Sequence, residues 1–310
     1  MPVLMKCVRK AYGKKTVLDG IDFEINPGEA VCVLGSNASG KSTLIKIITG
    51  LIYPTSGLIK IFGLSPFMNK SRIGAKIGYV PQHLNVFDEM SVKYNLEFFC
   101  KIFGAPSSRV KELMSQFELT EFAHTPVASL SGGYQRRINL ACSLVHDPDF
   151  VIMDEPEAGL DPRAREKIWE FVECLKSAGK SILLVTHSVA DATRLCDRVY
   201  FFHRGRIVSQ GSPSELISRI SRDTLIDIKL RPCPQENVAE AIKGIRGTGN
   251  VFVIGEAVLI EAGLDDAVRI LGELPKALGK SGGYKVTEMS IHDPTLEDVF
   301  LVECGEAMLG

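Results

Sequence analysis

Apolar residues in this chain come in runs of strand length. Phe150-Val151-Ile152-Met153 and Ile182-Leu183-Leu184-Val185 each end at polar residues after four positions, as strands buried on both faces do. Near the N-terminus, residues 5–9, 17–18, 21–25 and 30–34 are short and rich in branched side chains. Gly13, Gly20 and Pro27-Gly28 separate them, so they too read as strands. A helix is predicted over 41–49, with Leu44, Ile45, Ile47 and Ile48 facing inward and Gly50 as its stop. Between about residues 85 and 146 the period becomes helical, in 92–103, 108–117 and 132–145. Beyond lie a buried strand at 150–153, a helix at 162–178, a buried strand at 181–186 and a short helix at 189–195. Strands alternating with helices imply a parallel sheet covered on both faces. The all-helical stretch is then an insertion into that sheet domain.

From about residue 222 the pattern resets. A strand at 225–230 and a helix at 236–245 precede a hairpin of 251–254 and 257–260 across Gly255-Glu256. A helix at 265–278, a strand at 284–291 and a closing helix at 295–302 complete the chain. The order strand-helix-strand-strand-helix-strand suits a small ferredoxin-like unit. A length of 310 residues also favours two domains, which are placed at 1–221 and 222–310.

Composition narrows the function. The net charge is −1, which gives no electrostatic case for nucleic acid as a partner. No run reaches the 18 apolar residues of a membrane span, and the first residues lack a signal peptide's apolar stretch. The expectation is a cytosolic chain unless a partner holds it at a membrane. Eight cysteines stand at 7, 32, 100, 142, 174, 196, 233 and 304, none at C-x-x-C spacing. Neither a zinc knuckle nor a thioredoxin-like motif is supported.

Candidate chemistry begins at Gly35-Ser36-Asn37-Ala38-Ser39-Gly40-Lys41-Ser42, which fits G-x-x-x-x-G-K-[ST]. Small residues let the backbone curl so that successive N–H groups point at a phosphate, at the positive end of the following helix. Lys41 is then expected to reach the β- and γ-phosphates and Ser42 to hold Mg²⁺, with Thr43 next in the cradle. The second candidate is Asp154-Glu155, two carboxylates ending the strand 150–153. Alternation along a strand separates their directions. Asp154 is expected to order the Mg²⁺ shell while Glu155 serves as general base for the attacking water.

Leu130-Ser131-Gly132-Gly133-Tyr134-Gln135-Arg136-Arg137 places small residues at a helix start, a second anion site. This stretch resembles the signature motif of ABC ATPases, which completes the nucleotide pocket of the opposite subunit. The resemblance implies an α/β P-loop NTPase cassette with a mixed sheet and a helical subdomain at about 85–146. A C-terminal α+β ferredoxin-like domain follows it. Other residues fall into the family's order. Tyr12 resembles the aromatic that stacks on adenine, and Gln82 the glutamine that approaches Mg²⁺ and the attacking water. Gly159-Leu160-Asp161-Pro162 resembles the loop through which paired cassettes communicate, and His187 the histidine that senses the γ-phosphate.

Three departures stand out. Ser36, Ala38 and Ser39 replace the usual Pro, Gly and Ala of the phosphate loop. Tyr134 replaces the commonest Gln. Glu157 replaces the usual Thr or Ser, adding a negative charge near the expected dimer seam. The tail Pro294-Thr295-Leu296-Glu297-Asp298-Val299-Phe300-Leu301 and the stretch Phe87-Asp88-Glu89-Met90-Ser91-Val92 resemble those of drug- and nodulation-type exporter ATPases.

The resemblance implies Mg-ATP hydrolysis between two cassettes, each from an identical or related chain. It also implies a separate transmembrane permease as partner and a position on the cytoplasmic face of the membrane. A non-transport ABC ATPase acting on ribosomes or nucleic acid is the competing class. Such proteins carry paired cassettes in one chain or long coiled coils, and this chain has neither. A cassette that binds without turnover is disfavoured because Lys41, Asp154, Glu155 and His187 are all present.

Overall fold

The computed structural model describes residues 1–220, 224–232, 234, 237–280 and 284–305. The expected boundary between residues 221 and 222, together with Cys233 and Glu236, lies outside them. The chain divides into two compact units, Met1–Ile207 and Val208–Gly310.

The first unit opens with β1 (Val3–Tyr12), β2 (Lys15–Ile25), β3 (Ala30–Gly35) and α1 (Lys41–Ile48). Next come β4 (Ser56–Ile61), α2 (Lys70–Gly74) and β5 (Ile77–Val80). Three helices follow, α3 (Val92–Phe103), α4 (Ser108–Gln116) and α5 (Gly132–Ser143). The run closes with β6 (Phe150–Asp154), α6 (Pro162–Ser177), β7 (Ser181–Thr186), α7 (Val189–Leu195), β8 (Arg198–His203) and β9 (Arg206–Gly211). β9 carries the chain into the second unit.

The strands build two sheets. One has the order β5-β6-β7-β3-β8-β9, with parallel pairing from β5 through to β8. Every residue of β3 and β7 is buried, as the unbroken apolar runs require. Full burial of a Leu or Val side chain contributes about 1.5–3 kcal/mol, so the sheet centre is the rigid part of the unit. The other sheet, β2-β1-β4, is antiparallel. Residues 3–25 form a hairpin and pair locally, outside the strand–helix alternation that predicts the parallel sheet, so the unit has the mixed character that the family resemblance implies. Between β5 and β6 the helices α3, α4 and α5 form the insertion. Asn95 on α3 is buried and pins the preceding loop, donating to the Phe87 carbonyl at 2.9 Å and accepting from the Phe87 amide at 2.7 Å.

The second unit contains α8 (Pro213–Ile220), β10 (Thr224–Arg231), α9 (Asn237–Lys243), β11 (Thr248–Ile254), β12 (Ala257–Ala262), α10 (Leu264–Lys280), β13 (Lys285–His292) and α11 (Leu296–Cys304). Its sheet is antiparallel, in the order β11-β12-β10-β13. That is the ferredoxin-like arrangement for a strand-helix-strand-strand-helix-strand chain. Ala267, Ile270, Leu274 and Leu278 recur at helical spacing on α10 and are buried with Ile226, Ile228 and Leu230 of β10. On α11, Leu296, Val299 and Phe300 are buried. That helix starts in a capping box, Thr295 accepting from the Asp298 amide at 3.3 Å while the Asp298 carboxylate accepts from the Thr295 amide at 2.8 Å. Among the described residues, no helix is long and apolar enough to cross a membrane.

Candidate active site

The loop after β3 is shaped by contacts that forbid side chains. At Gly35 a Cβ would lie 2.5 Å from the Phe202 carbonyl oxygen of β8. Gly40 has φ +113°, and a Cβ there would lie 2.8 Å from Leu18 Cδ2. Only glycine meets both demands. The loop is thereby folded over the start of α1, where backbone N–H groups are left without helical partners. Lys41, buried, lays its ammonium across the loop, donating to the Gly35 carbonyl at 2.6 Å and to that of Ser36 at 3.1 Å. Burial pulls its pKa below the usual lysine range, while the charges of Glu155 and Asp154 push it back up.

A cleft of about 520 Å³ opens over this loop. Of the expected residues, Asn37, Ala38, Ser39, Gly40, Lys41, Ser42, Thr43, Gln82, Asp154 and Glu155 line it. Strand alternation predicts that Asp154 and Glu155 point apart, yet both line the same cleft. The reason is that β6 ends at Asp154 and Glu155 turns into a left-handed conformation, φ +46°. For a non-glycine residue that costs about 1–2 kcal/mol. The surrounding bonds hold it, beginning with the Glu155 amide, which donates to the Val185 carbonyl at 2.8 Å.

The Glu155 carboxylate collects the other candidates. Gln82 Nε2 donates to its Oε2 at 2.9 Å, and His187 Nδ1 stands 3.6 Å from its Oε1. Beside it, desolvation and the Glu155 charge raise the pKa of Asp154. Tyr79 hydrogen-bonds Asp154, and desolvation first, then that carboxylate, push the phenol up to about 12. The donors offered at the cleft are hydroxyl, amide and carboxylate oxygens from Ser42, Gln82 and Asp154. That set is hard enough for Mg²⁺, which keeps several waters and needs few protein ligands.

The remaining expected residues lie outside that lining. Gly35 and Ser36 accept from Lys41 beneath it. Tyr12 is exposed, with Lys10 Nζ 4.9 Å from its ring centroid, and pairs across the hairpin with Lys15, which does line the cleft. Ser131 caps α5 with an extended backbone and makes no side-chain capping bond, and Gly132 and Gly133 are the helix's first residues. A Cβ at Gly133 would meet that of Ala164 at 2.9 Å, so glycine lets α5 approach α6. Asp161 caps α6, accepting from the amides of Arg163 and Ala164 at 2.9 and 3.0 Å. Tyr134 packs against Phe122, ring centroids 4.5 Å apart, with the Arg137 guanidinium 4.7 Å from its centroid.

Two features carry no mark in the sequence, and the setting of a third residue, Glu157, differs from the one expected. Lys15, Thr16 and Val17 of the first hairpin and Arg204-Gly205 of the β8–β9 turn also line the cleft. Arg136 is buried under it and donates to five backbone carbonyls: Pro81 at 2.7 Å, Gln82 at 3.0 Å, Asp154 at 3.2 Å, and Glu155 and Pro156 each at 2.9 Å. Glu157, far from offering its charge to a surface, is buried and accepts a hydrogen bond from the Thr186 hydroxyl, which itself accepts from the Ser188 amide at 2.8 Å.

Burial raises the Glu157 pKa, against the lowering effect of Thr186. An acid whose folded pKa exceeds its unfolded one destabilises the fold as pH rises from the ordinary carboxylate range through the raised value. Glu157→Gln removes that loss. Its melting temperature relative to the parent should therefore climb between pH 4 and pH 8, by roughly 2–4 °C for each kcal/mol regained. Scanning calorimetry of the two proteins across that range checks it, and a constant difference contradicts it.

Comparison with known proteins agrees with this geometry. The family model described as ABC transporter matches residues 18–158. The Nod factor export ATP-binding protein I of Cupriavidus metallidurans is 37% identical over 310 residues, covering 98% of this chain and 97% of that protein. The daunorubicin resistance ATP-binding protein of Streptomyces coeruleorubidus is 33% identical over 301 residues, covering 96% and 94%. Among solved structures, an ATP-binding subunit of an ABC transporter aligns with TM-score 0.65 and 28% identity, covering 71% of this chain and 93% of that one. A dimeric ATP-binding cassette bound to ADP and phosphate aligns with TM-score 0.61 and 28% identity, covering 68% and 98%. With the cleft and its carboxylates in place, the chain belongs to the ABC transporter ATP-binding proteins of the drug- and nodulation-exporter type, and is the ATP-hydrolysing subunit of such a transporter.

Proposed function

We propose that two copies of this chain close head to tail on two ATP molecules, and that opening and closing drives export through a separate transmembrane permease. In this reading the loop amides and Lys41 hold the β- and γ-phosphates, and Ser42, Gln82 and Asp154 hold Mg²⁺. The metal, when bound, offsets phosphate charge. Glu155 takes the proton of the attacking water, Gln82 orients that water, and His187 stands at the γ-phosphate. Tyr12 stacks on adenine. Ser131, Gly132, Gly133 and Asp161 act on the nucleotide of the other copy. The helical insertion is the docking face for the permease, which places the chain at the cytoplasmic side of the membrane. Export is favoured by the names of relatives associated with Nod factor export and daunorubicin resistance.

One observation carries the pairing. Residues 37–43 line the cleft, whereas Ser131 and the start of α5, a second helix N-terminus suited to an anion, line none of it. Complementation tests it. Lys41→Ala and Ser131→Arg should each abolish ATP turnover alone. Mixed in equal amounts they should regain it, because one pocket of the mixed pair joins an intact phosphate loop to an intact signature turn. A mixture as inactive as its components overturns the head-to-tail arrangement.

A further inference from the structure

Arg136 sits one turn into α5, on the helix that Ser131 begins. A guanidinium has five N–H groups, and here each has an acceptor: Nε donates to Pro156, one terminal nitrogen to Pro81 and Gln82, the other to Asp154 and Glu155. All five acceptors are backbone carbonyls, drawn from two segments that approach the cleft separately. One segment ends β5 and carries Gln82. The other ends β6 and carries Glu155 in its left-handed turn. Buried carbonyls require partners, and a planar fork is the side chain that can satisfy several in fixed directions. Of the five, the Glu155 carbonyl also accepts from the Ala158 amide at 3.1 Å.

We propose that Arg136 is a positioning residue for hydrolysis: it ties the signature turn of each cassette to that cassette's own Gln82 and Glu155. A nucleotide of the second copy, docking on Ser131 and Gly133, thereby sets the attack geometry in the first copy's cleft. The guanidinium reaches backbone oxygens of both segments at 2.7–3.2 Å, so a small displacement of α5 is passed to Gln82 and Glu155 together. The inference rests on the head-to-tail reading, because it supplies the route by which one pocket informs the other.

Arg136→Lys and Arg136→Gln test it in the full chain. Lysine keeps the charge but cannot span five acceptors. Both should bind a fluorescent ATP analogue within about threefold of the parent, while kcat at saturating Mg-ATP falls at least tenfold per folded molecule. A purely stabilising arginine would lower the melting temperature and leave that kcat within twofold, which overturns the proposal. Should neither variant fold, Glu155→Gln with intact Arg136 decides the matter through hydrogen exchange. On adding Mg-ATP, residues 81–83, 131–137 and 154–157 should slow together; slowing confined to 131–137 overturns it. The complementation mixture keeps the two readings apart. Recovery there, with full turnover by Arg136→Lys, removes this inference alone.

Discussion

Lys41→Ala is expected to abolish ATP turnover, with a loss of roughly a thousandfold or more. Removing one preorganised donor from a developing oxyanion costs about 2.7–4 kcal/mol, or roughly 10²–10³ in rate. Lys41 supplies a full charge in a buried position, at the upper end of that range or beyond. The variant separates two roles. Without nucleotide, the ammonium braces the loop through the carbonyls of Gly35 and Ser36, and each such bond is worth about 1 kcal/mol to the fold. The melting temperature should therefore fall by only a few degrees. Phosphate release should vanish and nucleotide affinity should drop. A Lys41→Ala protein hydrolysing ATP within tenfold of the parent would place the phosphates elsewhere.

What the sequence discloses of this molecule follows from how each part is stabilised. Between their ends β3, β6 and β7 are apolar, because burial on both faces leaves no interior position for a polar side chain. The phosphate loop is legible because crowding against Phe202 and Leu18 forces glycine at fixed spacing. Arg206–Gly211 leaves no such trace: its single fully buried residue is Ser209, so neither alternation nor an apolar run marks it as a strand. Arg136 is equally hidden. Beside Arg137 it reads as one of two basic residues on a helix, and only the folded chain brings the β5 and β6 ends within reach of its guanidinium. The turn that brings Glu155 beside Asp154 in the cleft depends on the carbonyl of Val185, thirty residues away, which local periodicity cannot foresee.

Glu155→Gln should bind Mg-ATP normally yet hydrolyse it about 10²–10⁴ times more slowly, the usual contribution of a general base. The amide matches the carboxylate in shape and still offers an oxygen to Gln82 Nε2, so the contact seen at 2.9 Å can persist. It cannot accept the proton of water. Nucleotide held without turnover removes the step that separates the paired chains, so the variant should sediment as a dimer with saturating Mg-ATP and as a monomer without it. Asp154 supplies the contrast. Its raised pKa comes first from burial and next from the Glu155 charge, so neutralising residue 155 should ease the ionisation of Asp154 and leave the oxygens proposed to hold Mg²⁺ at least as well charged. Binding should therefore survive where catalysis does not. A Glu155→Gln chain that stays monomeric at saturating Mg-ATP, or one that turns over at the parental rate, would assign the proton to another group and unseat the carboxylate on which Gln82 and His187 converge.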